Sequence, residues 1–218
     1  METAGRGEPV TRTRVKFCGL TRPGDVRLAC ELGVDALGFV LAHGSPRQLS
    51  AAQLGGLRAA VSPLVHVVAL FRDTPASEVL DAIHRLRPTL LQFHGREDDA
   101  FCRGFGIPYL KTLPMGGAGA DALAMSRHHP SAVAFLLDGH APGEGGGRGM
   151  AFDWSLAPRL QRPVFLAGGL AADNVGRAIA IVRPYAVDVS SGIESAPGCK
   201  AGEKRQQFLD EVRRADEQ

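Results

Sequence analysis

The sequence has few cysteines, and their spacing matches no disulfide or metal-binding motif. There are four in 218 residues, with no C-x-x-C pair and none of the dense spacing found in disulfide-rich secreted proteins. They are Cys18, Cys30, Cys102 and Cys199. We therefore expect reduced thiols and a cytoplasmic protein.

Long apolar runs at the N-terminus and clusters of one charge are also missing. Residues 1–14 mix acidic and basic side chains with no apolar stretch, so we expect a flexible N-terminal tail there rather than a signal peptide or membrane span. Lys and Arg number 25 and Asp and Glu 23, which gives a formal net charge of +2. Because basic residues are interspersed with acidic ones and form no stripe with aromatics, we expect neither a nucleic-acid partner nor a membrane partner.

Short apolar runs alternate with longer amphipathic segments along the rest of the chain. The apolar runs predict eight strands: Val15–Cys18, Asp35–Val40, Val65–Phe71, Leu90–Phe93, Tyr109–Thr112, Ala134–Asp138, Val164–Ala167 and Ala186–Ser190. The amphipathic segments predict eight helices: Pro23–Leu32, Ser50–Ala60, Pro75–Leu86, Glu97–Gly104, Ala120–His128, Asp153–Leu160, Ala171–Val182 and Glu203–Ala215.

Eight strand–helix units predict an α/β fold, a (β/α)8 TIM barrel, as one domain over residues 15–218. With 44% hydrophobic residues the chain can bury a full core, and no Pro- or Ser-rich linker divides it. The alternative, a doubly wound open sheet, requires a glycine-rich dinucleotide turn after the first strand. Residues 19–23 do not supply one.

In such a barrel the catalytic groups lie at the carboxyl ends of the strands. Cys18 ends the first predicted strand and Asp138 the sixth. A cysteine in an apolar run is more often an inert core residue, and an aspartate after a strand often only begins a turn. The glycine-rich residues 139–149 follow Asp138. Because glycine is costly to order, this stretch favours a mobile lid.

The last two strands end in small residues that are suited to binding an anion. Gly168 and Gly169 follow the seventh strand, and Ser190, Ser191 and Gly192 follow the eighth. Glycine lets backbone N–H groups approach an anion closely, and serine hydroxyls add donors. We therefore expect a phosphate site at these two loops rather than plain turns.

Arg47 follows the second strand in the segment Gly44-Ser45-Pro46-Arg47. The simpler interpretation is a solvated surface arginine. The functional one is a planar guanidinium that holds a substrate carboxylate through two parallel hydrogen bonds.

Taken in order, the motifs of this chain resemble those of the phosphoribosylanthranilate isomerase family, phosphate-binding TIM barrels of tryptophan biosynthesis. The resemblance runs from about Val15 to the C-terminal helix. The motifs that carry it are Lys16-Phe17-Cys18-Gly19-Leu20-Thr21, Asp35-Ala36-Leu37-Gly38-Phe39-Val40, Ser45-Pro46-Arg47, Gln92-Phe93-His94-Gly95, Leu136-Leu137-Asp138, Phe152-Asp153-Trp154, Leu166-Ala167-Gly168-Gly169-Leu170 and Val187-Asp188-Val189-Ser190-Ser191-Gly192-Ile193-Glu194.

The resemblance implies an isomerase that needs no cofactor. It catalyses the Amadori rearrangement of N-(5-phosphoribosyl)anthranilate to 1-(2-carboxyphenylamino)-1-deoxyribulose 5-phosphate by general acid–base catalysis. The acid at Asp138 protonates the furanose ring oxygen, and the base at Cys18 removes the C2 proton of the resulting iminium. Arg47 holds the anthranilate carboxylate, and the glycine and serine residues after the last two strands bind the phosphate. A protonated acid and a basic thiol both require shifted pKa values.

Two neighbouring groups have competing interpretations. Lys16 lies on the same strand face as Cys18, where its ammonium favours the thiolate, but we favour a buried ion pair with Asp188. His94 is a rim residue of uncertain use. Since no histidine shows metal-ligand spacing with carboxylates, we expect no metal.

One departure from the family pattern and two alternative functions stay open. The family carries a Gly-Gly-Thr-Gly turn where this chain has Gly145-Gly146-Gly147-Arg148-Gly149, which bears on rate or substrate range. A related sugar isomerase of histidine biosynthesis requires a second anion site after strands three and four, and residues 71–75 and 94–98 are not rich enough in glycine to form one. A catalytically silent binding module is disfavoured because Cys18 and Asp138 are both present. Monomer and homodimer are equally open.

Overall fold

The computed structural model describes residues 12–117, 121–141 and 149–218, and within them eight parallel strands close into a barrel. Each strand pairs with its neighbours in chain order, and β8 closes the barrel against β1. The strands are β1 (Arg14–Cys18), β2 (Ala36–Val40), β3 (His66–Phe71), β4 (Leu90–Phe93), β5 (Tyr109–Pro114), β6 (Ala134–Asp138), β7 (Val164–Leu166) and β8 (Ala186–Val189). The predicted barrel is confirmed.

Helices follow most of the strands and begin at recognisable signals. They are α1 (Pro23–Glu31), α2 (Ala51–Ala59), α3 (Ala76–Leu86), α4 (Asp99–Arg103), α5 (Ala122–Arg127), α6 (Val175–Val182) and α7 (Gly202–Asp216). Proline starts α1, where its missing N–H costs nothing. Before α2 the Gln53 side chain accepts a hydrogen bond from the Ser50 N–H at 2.9 Å. Before α4 the Asp98 side chain accepts one from the Phe101 N–H.

Side chains alternate along β1 between the inside of the barrel and the layer between the barrel and the helices. Phe17 faces outward into the apolar layer under the helices, where its ring meets Phe208 of α7 at a centroid distance of 6.3 Å. Lys16 and Cys18 point the other way, into the barrel. The register with β8 sets Lys16 directly opposite Asp188. The buried Lys16–Asp188 pair therefore lies inside the barrel, together with a small apolar cluster that includes Leu110 and Leu136, while the large apolar core lies around the barrel.

One predicted helix is wrong. The segment Asp153–Leu160 forms only a 3₁₀ turn at Trp154–Leu156. Ala157 then adopts extended backbone, with ψ of 120°, because it precedes Pro158 and the proline ring disfavours the helical region there. Proline thus ends the helical turn earlier than the apolar pattern predicts.

Two further local differences concern the last third of the chain. Helix α6 begins at Val175 rather than at Ala171, because residues 171–174 form a loop closed by Asn174. A short antiparallel hairpin that the pattern did not predict joins β9 (Glu194–Ala196) to β10 (Cys199–Lys200).

The start of the barrel is anchored earlier than expected. Arg12 forms an ion pair with Asp35, and the Thr13 hydroxyl donates to Asp216 of α7 at 2.6 Å. Two predicted segments lie outside the described residues: residues 1–11 of the tail and residues 142–148 of the lid. The second segment includes most of the altered Gly145–Gly149 turn. Among the described helices, none is both long and apolar enough to cross a membrane.

Candidate active site

A cavity of about 1050 Å³ opens at the carboxyl ends of the barrel strands. Seven of the eight predicted site residues line it: Cys18, Arg47, Asp138, Gly168, Gly169, Ser190 and Ser191. Gly192 is not part of the lining. A Cβ there would lie 2.0 Å from the Leu170 carbonyl oxygen, so close backbone packing already requires glycine at that position.

Cys18, the last residue of β1, is buried beside Gly38 of β2. A Cβ on Gly38 would lie 2.7 Å from the Cys18 sulfur and 3.0 Å from the Lys16 Nζ, so glycine leaves room for both groups. Burial raises the pKa of the Cys18 thiol, and the Lys16 ammonium only partly counteracts this effect. The resting group is therefore a neutral thiol.

Lys16 and Asp188 form the predicted buried ion pair. The Lys16 Nζ donates to Oδ1 of Asp188 at 2.9 Å, and both side chains are buried. Although burial acts to lower the pKa of Lys16, the facing charges of Asp188 and of an ionised Cys18 raise it on balance. The same ammonium thus pairs with Asp188 and favours the thiolate, so the two proposed roles coexist.

Asp138 ends β6 and lies beside two stacked imidazoles. His94 Nε2 and His140 Nδ1 lie 3.7 and 3.5 Å from Oδ2 of Asp138, and the two rings stack with centroids 4.5 Å apart. Burial acts to raise the pKa of Asp138, but the two histidines outweigh it and hold the pKa below the ordinary value. Burial also lowers the pKa of His94 to about 3.

Both pKa shifts run opposite to the directions expected from the chemistry. The expectation is a protonated Asp138 and a basic Cys18, whereas this cavity favours a carboxylate and a thiol. The causes are the histidines around the carboxylate and the burial of the sulfur. Both arrangements hold the same number of protons and differ only in which of the two groups carries the proton.

The loop after β7 is shaped by its two glycines and by one asparagine. Gly168 has a φ of +84°, and a Cβ there would lie 2.5 Å from the backbone nitrogen of Gly139. The Asn174 amide accepts from the Ala171 N–H and donates to the Gly169 carbonyl, both at 2.9 Å. Asn174 therefore fixes the path of this loop.

The backbone donors of the β7 and β8 loops face the same cavity. Within the part of the chain that the structure describes, the N–H groups of Gly169 and Ser191 donate to no other residue. Converging backbone N–H groups and serine hydroxyls suit an anion such as a phosphate.

Arg47 is only 6% exposed, which excludes the solvated surface interpretation. Its Nε and Nη2 donate to Oε1 and Oε2 of Glu194 at 2.8 and 2.7 Å. Glu194 also accepts from the Lys200 Nζ at 2.8 Å. Glu194 therefore occupies one edge of the guanidinium through two parallel hydrogen bonds and fixes its orientation in the cavity wall.

Comparison with known proteins identifies the family. The family model described as N-(5′-phosphoribosyl)anthranilate (PRA) isomerase matches residues 15–211. The chain belongs to this family. It is 57% identical over 211 residues to the N-(5′-phosphoribosyl)anthranilate isomerase of Xanthomonas campestris pv. campestris, an alignment that covers 94% of this chain and 95% of the relative.

Solved structures of PRA isomerases agree with this assignment. The phosphoribosyl anthranilate isomerase from Thermus thermophilus is 38% identical, with a TM-score of 0.82 over 93% of this chain and 99% of that one. A second phosphoribosyl anthranilate isomerase, in complex with reduced 1-(o-carboxyphenylamino)-1-deoxyribulose 5-phosphate, is 31% identical, with a TM-score of 0.78 over 92% and 98% of the chains.

Three residues of this PRA isomerase have site contacts that the sequence-based argument did not assign. His140 flanks Asp138, Asn174 holds the β7 loop, and Glu194 orients Arg47. Weak signals exist for each: His140 lies two residues after Asp138, Asn174 follows the Gly168-Gly169 turn, and Glu194 ends the quoted serine–glycine motif. None of these signals states what the side chain contacts.

Proposed function

We propose that this isomerase converts N-(5-phosphoribosyl)anthranilate to 1-(2-carboxyphenylamino)-1-deoxyribulose 5-phosphate in tryptophan biosynthesis, with Cys18 as general base and Asp138 as general acid. The observation that carries the proposal is that one cavity holds both groups together with the β7 and β8 loops. Around the barrel the strands run β6, β7, β8, β1. The proposed phosphate loops therefore lie between the strand of the acid and the strand of the base.

The proposed mechanism assigns one proton transfer to Asp138 and one to Cys18. Asp138 gives a proton to the furanose ring oxygen, the C1–O bond breaks, and the nitrogen lone pair forms an iminium at C1. The Cys18 thiolate then removes the C2 proton, and the released electron pair neutralises the iminium to give an enolamine that tautomerises to the ketose. Oxidation at C2 balances reduction at C1 within one molecule, so this chemistry calls for no external oxidant, reductant or cofactor.

The cavity offers separate sites for the two charged ends of the substrate. The loops with Gly168, Gly169, Ser190 and Ser191 are assigned to the phosphate. This is supported by the unpaired N–H groups of Gly169 and Ser191 and by the positive φ angles of Gly168 and Gly169. Arg47 is assigned to the anthranilate carboxylate, supported by its burial in the cavity wall. Gly192 lies outside the cavity lining, and a phosphate role for it stays a prediction.

The cellular setting follows from the same features. All four cysteines are free, which supports a reducing, cytoplasmic location. A small phosphorylated substrate is the partner that the cavity favours. The absence of a nucleic-acid partner and the choice between monomer and homodimer stay predictions.

The proposed activity is tested by mixing the purified protein with freshly generated phosphoribosylanthranilate and following the loss of anthranilate-type fluorescence. Rapid loss in proportion to enzyme concentration, with the ketose as product, is expected. Cys30→Ala provides a matched control, since Cys30 is a free cysteine outside the cavity lining. No acceleration over buffer would overturn the proposed function.

A further inference from the structure

The two histidines and the carboxylate around Asp138 form a compact set of metal ligands. We propose that His94, Asp138 and His140 bind a Zn²⁺ ion and that this binding inhibits the isomerase; the inhibitory part rests on the proposed function of Asp138. One ligand atom from each residue can be chosen so that all three lie within 4.8 Å of one another. Two imidazoles and one carboxylate are an established ligand set for zinc with one open position.

The measured separations fit one ion. With ligands at about 2.0–2.2 Å from a tetrahedral zinc, neighbouring ligand atoms lie roughly 3.3–3.6 Å apart. The two nitrogen–oxygen separations here are 3.7 Å for His94 Nε2 and 3.5 Å for His140 Nδ1, both to Asp138 Oδ2. Because the two rings stack with centroids 4.5 Å apart, they would also have to rotate until their in-plane lone pairs converge on the ion.

The imidazole nitrogens are also available to an ion. Within the described residues, both ring nitrogens of His94 and the Nδ1 of His140 are buried without a hydrogen-bond partner. The two side chains are only 8% and 6% exposed. A buried polar atom without a partner is costly, and an ion would supply the missing interaction. The spacing of histidines along the chain does not predict the cluster, since His94 reaches Asp138 only when β4 and β6 take their places in the barrel.

Occupation of this site would stop the proposed reaction. A carboxylate that coordinates zinc cannot carry the proton that Asp138 must give to the ring oxygen. The cluster lies on the wall of the cavity, so the open position of the ion would face the bound substrate. Zinc therefore acts here as an inhibitor of the enzyme and not as a cofactor.

Binding is tested by calorimetric titration of the metal-free protein with Zn²⁺ alone, and with Co²⁺, whose visible absorption reports tetrahedral coordination. One equivalent should bind, and His140→Gln and Asp138→Asn should each weaken binding at least about tenfold, since each removes one of three ligands. His128→Gln is the matched control, because exposed His128 lines the cavity outside the cluster. Circular dichroism verifies that each variant is folded.

Five outcomes decide the proposal. Binding that is lost in both cluster variants and kept in His128→Gln supports the site, whether or not the metal-free protein is an active isomerase. Inhibition by Zn²⁺ that a chelator reverses, measured relative to each variant's own metal-free rate, supports the inhibitory part. No stoichiometric binding, or binding that disappears in Cys18→Ser and persists in His140→Gln, would overturn the site. Stoichiometric binding at the cluster without inhibition would overturn the regulation.

Discussion

Glu194 binds Arg47 through both of its carboxylate oxygens, at 2.8 and 2.7 Å, and shares Oε1 with Lys200. Burial acts to raise the pKa of Glu194, but Arg47 and Lys200 hold it below the ordinary value. Glu194 and Lys200 both belong to the β9–β10 hairpin, which lies outside the barrel sheet. This small hairpin therefore orients an arginine that belongs to the β2 side of the cavity.

Arg47→Ala should weaken binding of anthranilate-bearing product analogues by about one to two orders of magnitude, because a charged hydrogen bond contributes roughly 1.5–3 kcal/mol. Inorganic phosphate should inhibit the variant and the wild type equally. Inhibition constants for both ligands measure this selectivity. Equal losses for both would mean that Arg47 contacts the phosphate or shapes the cavity mouth.

Arg47→Lys separates recognition from folding. Lysine keeps a positive charge beside Glu194 but cannot form two parallel hydrogen bonds. We expect its thermal midpoint to be closer to wild type than that of Arg47→Ala, while its affinity for the analogue stays low. Full recovery of affinity would show that charge alone decides recognition.

Cys18→Ala and Asp138→Asn should each lower turnover by about 10²–10⁴-fold, the usual contribution of a general acid or base. Asp138→Asn keeps the shape of the side chain and Cys18→Ala removes only one atom, the sulfur, so the thermal midpoint should change little by comparison. The assignment is tested by measuring the steady-state rates of both variants and of the control variant Cys30→Ala. A near-wild-type rate in either cavity variant would remove that residue from the mechanism.

Gly38→Ala should disturb the base without touching substrate. Its Cβ would lie 2.7 Å from the Cys18 sulfur and 3.0 Å from the Lys16 Nζ, and overpacking of this kind typically costs about 1–3 kcal/mol. We expect lower turnover and a changed rate of Cys18 alkylation. Gly55→Ala is the control: Gly55 lies in α2 with no atom within 4 Å of a new Cβ, so it should gain about 0.5–1 kcal/mol of stability. Unchanged turnover in Gly38→Ala would show that the thiol adapts freely.

The strands were predictable because local pattern decides them, whereas the environment of the site was not. Val164–Leu166 and Ala134–Asp138 are apolar runs that only a buried strand accommodates. The approach of His94 to Asp138 depends on closure of the whole barrel, which no local pattern encodes. The direction of the Asp138 pKa shift depends on the two histidines and that of the Cys18 shift on burial. Both causes arise only in the folded barrel, so chemistry alone predicted the directions wrongly.

His129 should make the fold sensitive to acid. Burial, with a contribution from the Lys111 ammonium, lowers the pKa of His129 to about 4, whereas an unfolded histidine titrates near about 6.5. Between these values the unfolded chain binds a proton that the folded chain does not, so the free energy of unfolding falls as the pH is lowered through this interval. Urea denaturation at several pH values should show that the free energy of unfolding of His129→Gln falls less on acidification than that of the wild type. The exposed neighbour variant His128→Gln should match wild type, and identical curves for all three proteins would contradict the prediction.

The phosphate site should depend on Asn174, although this side chain reaches it only through the backbone. Its amide accepts from the Ala171 N–H and donates to the Gly169 carbonyl, at 2.9 Å each. This fixes the peptide plane that follows the Gly169 N–H and so restricts the loop around that N–H. In crystals grown with phosphate, the anion should lie between the β7 and β8 loops, within hydrogen-bond reach of the Gly169 and Ser191 backbone. Asn174→Ala should weaken inhibition by inorganic phosphate about tenfold, since a hydrogen bond to a charged group contributes roughly 1.5–3 kcal/mol and depends on its direction. Because Asn174 itself does not line the cavity that holds Cys18, alkylation of Cys18 should be unchanged. An anion bound only at the opposite end of the barrel would contradict the site itself, while full phosphate inhibition in Asn174→Ala would show that the glycines hold the loop without help.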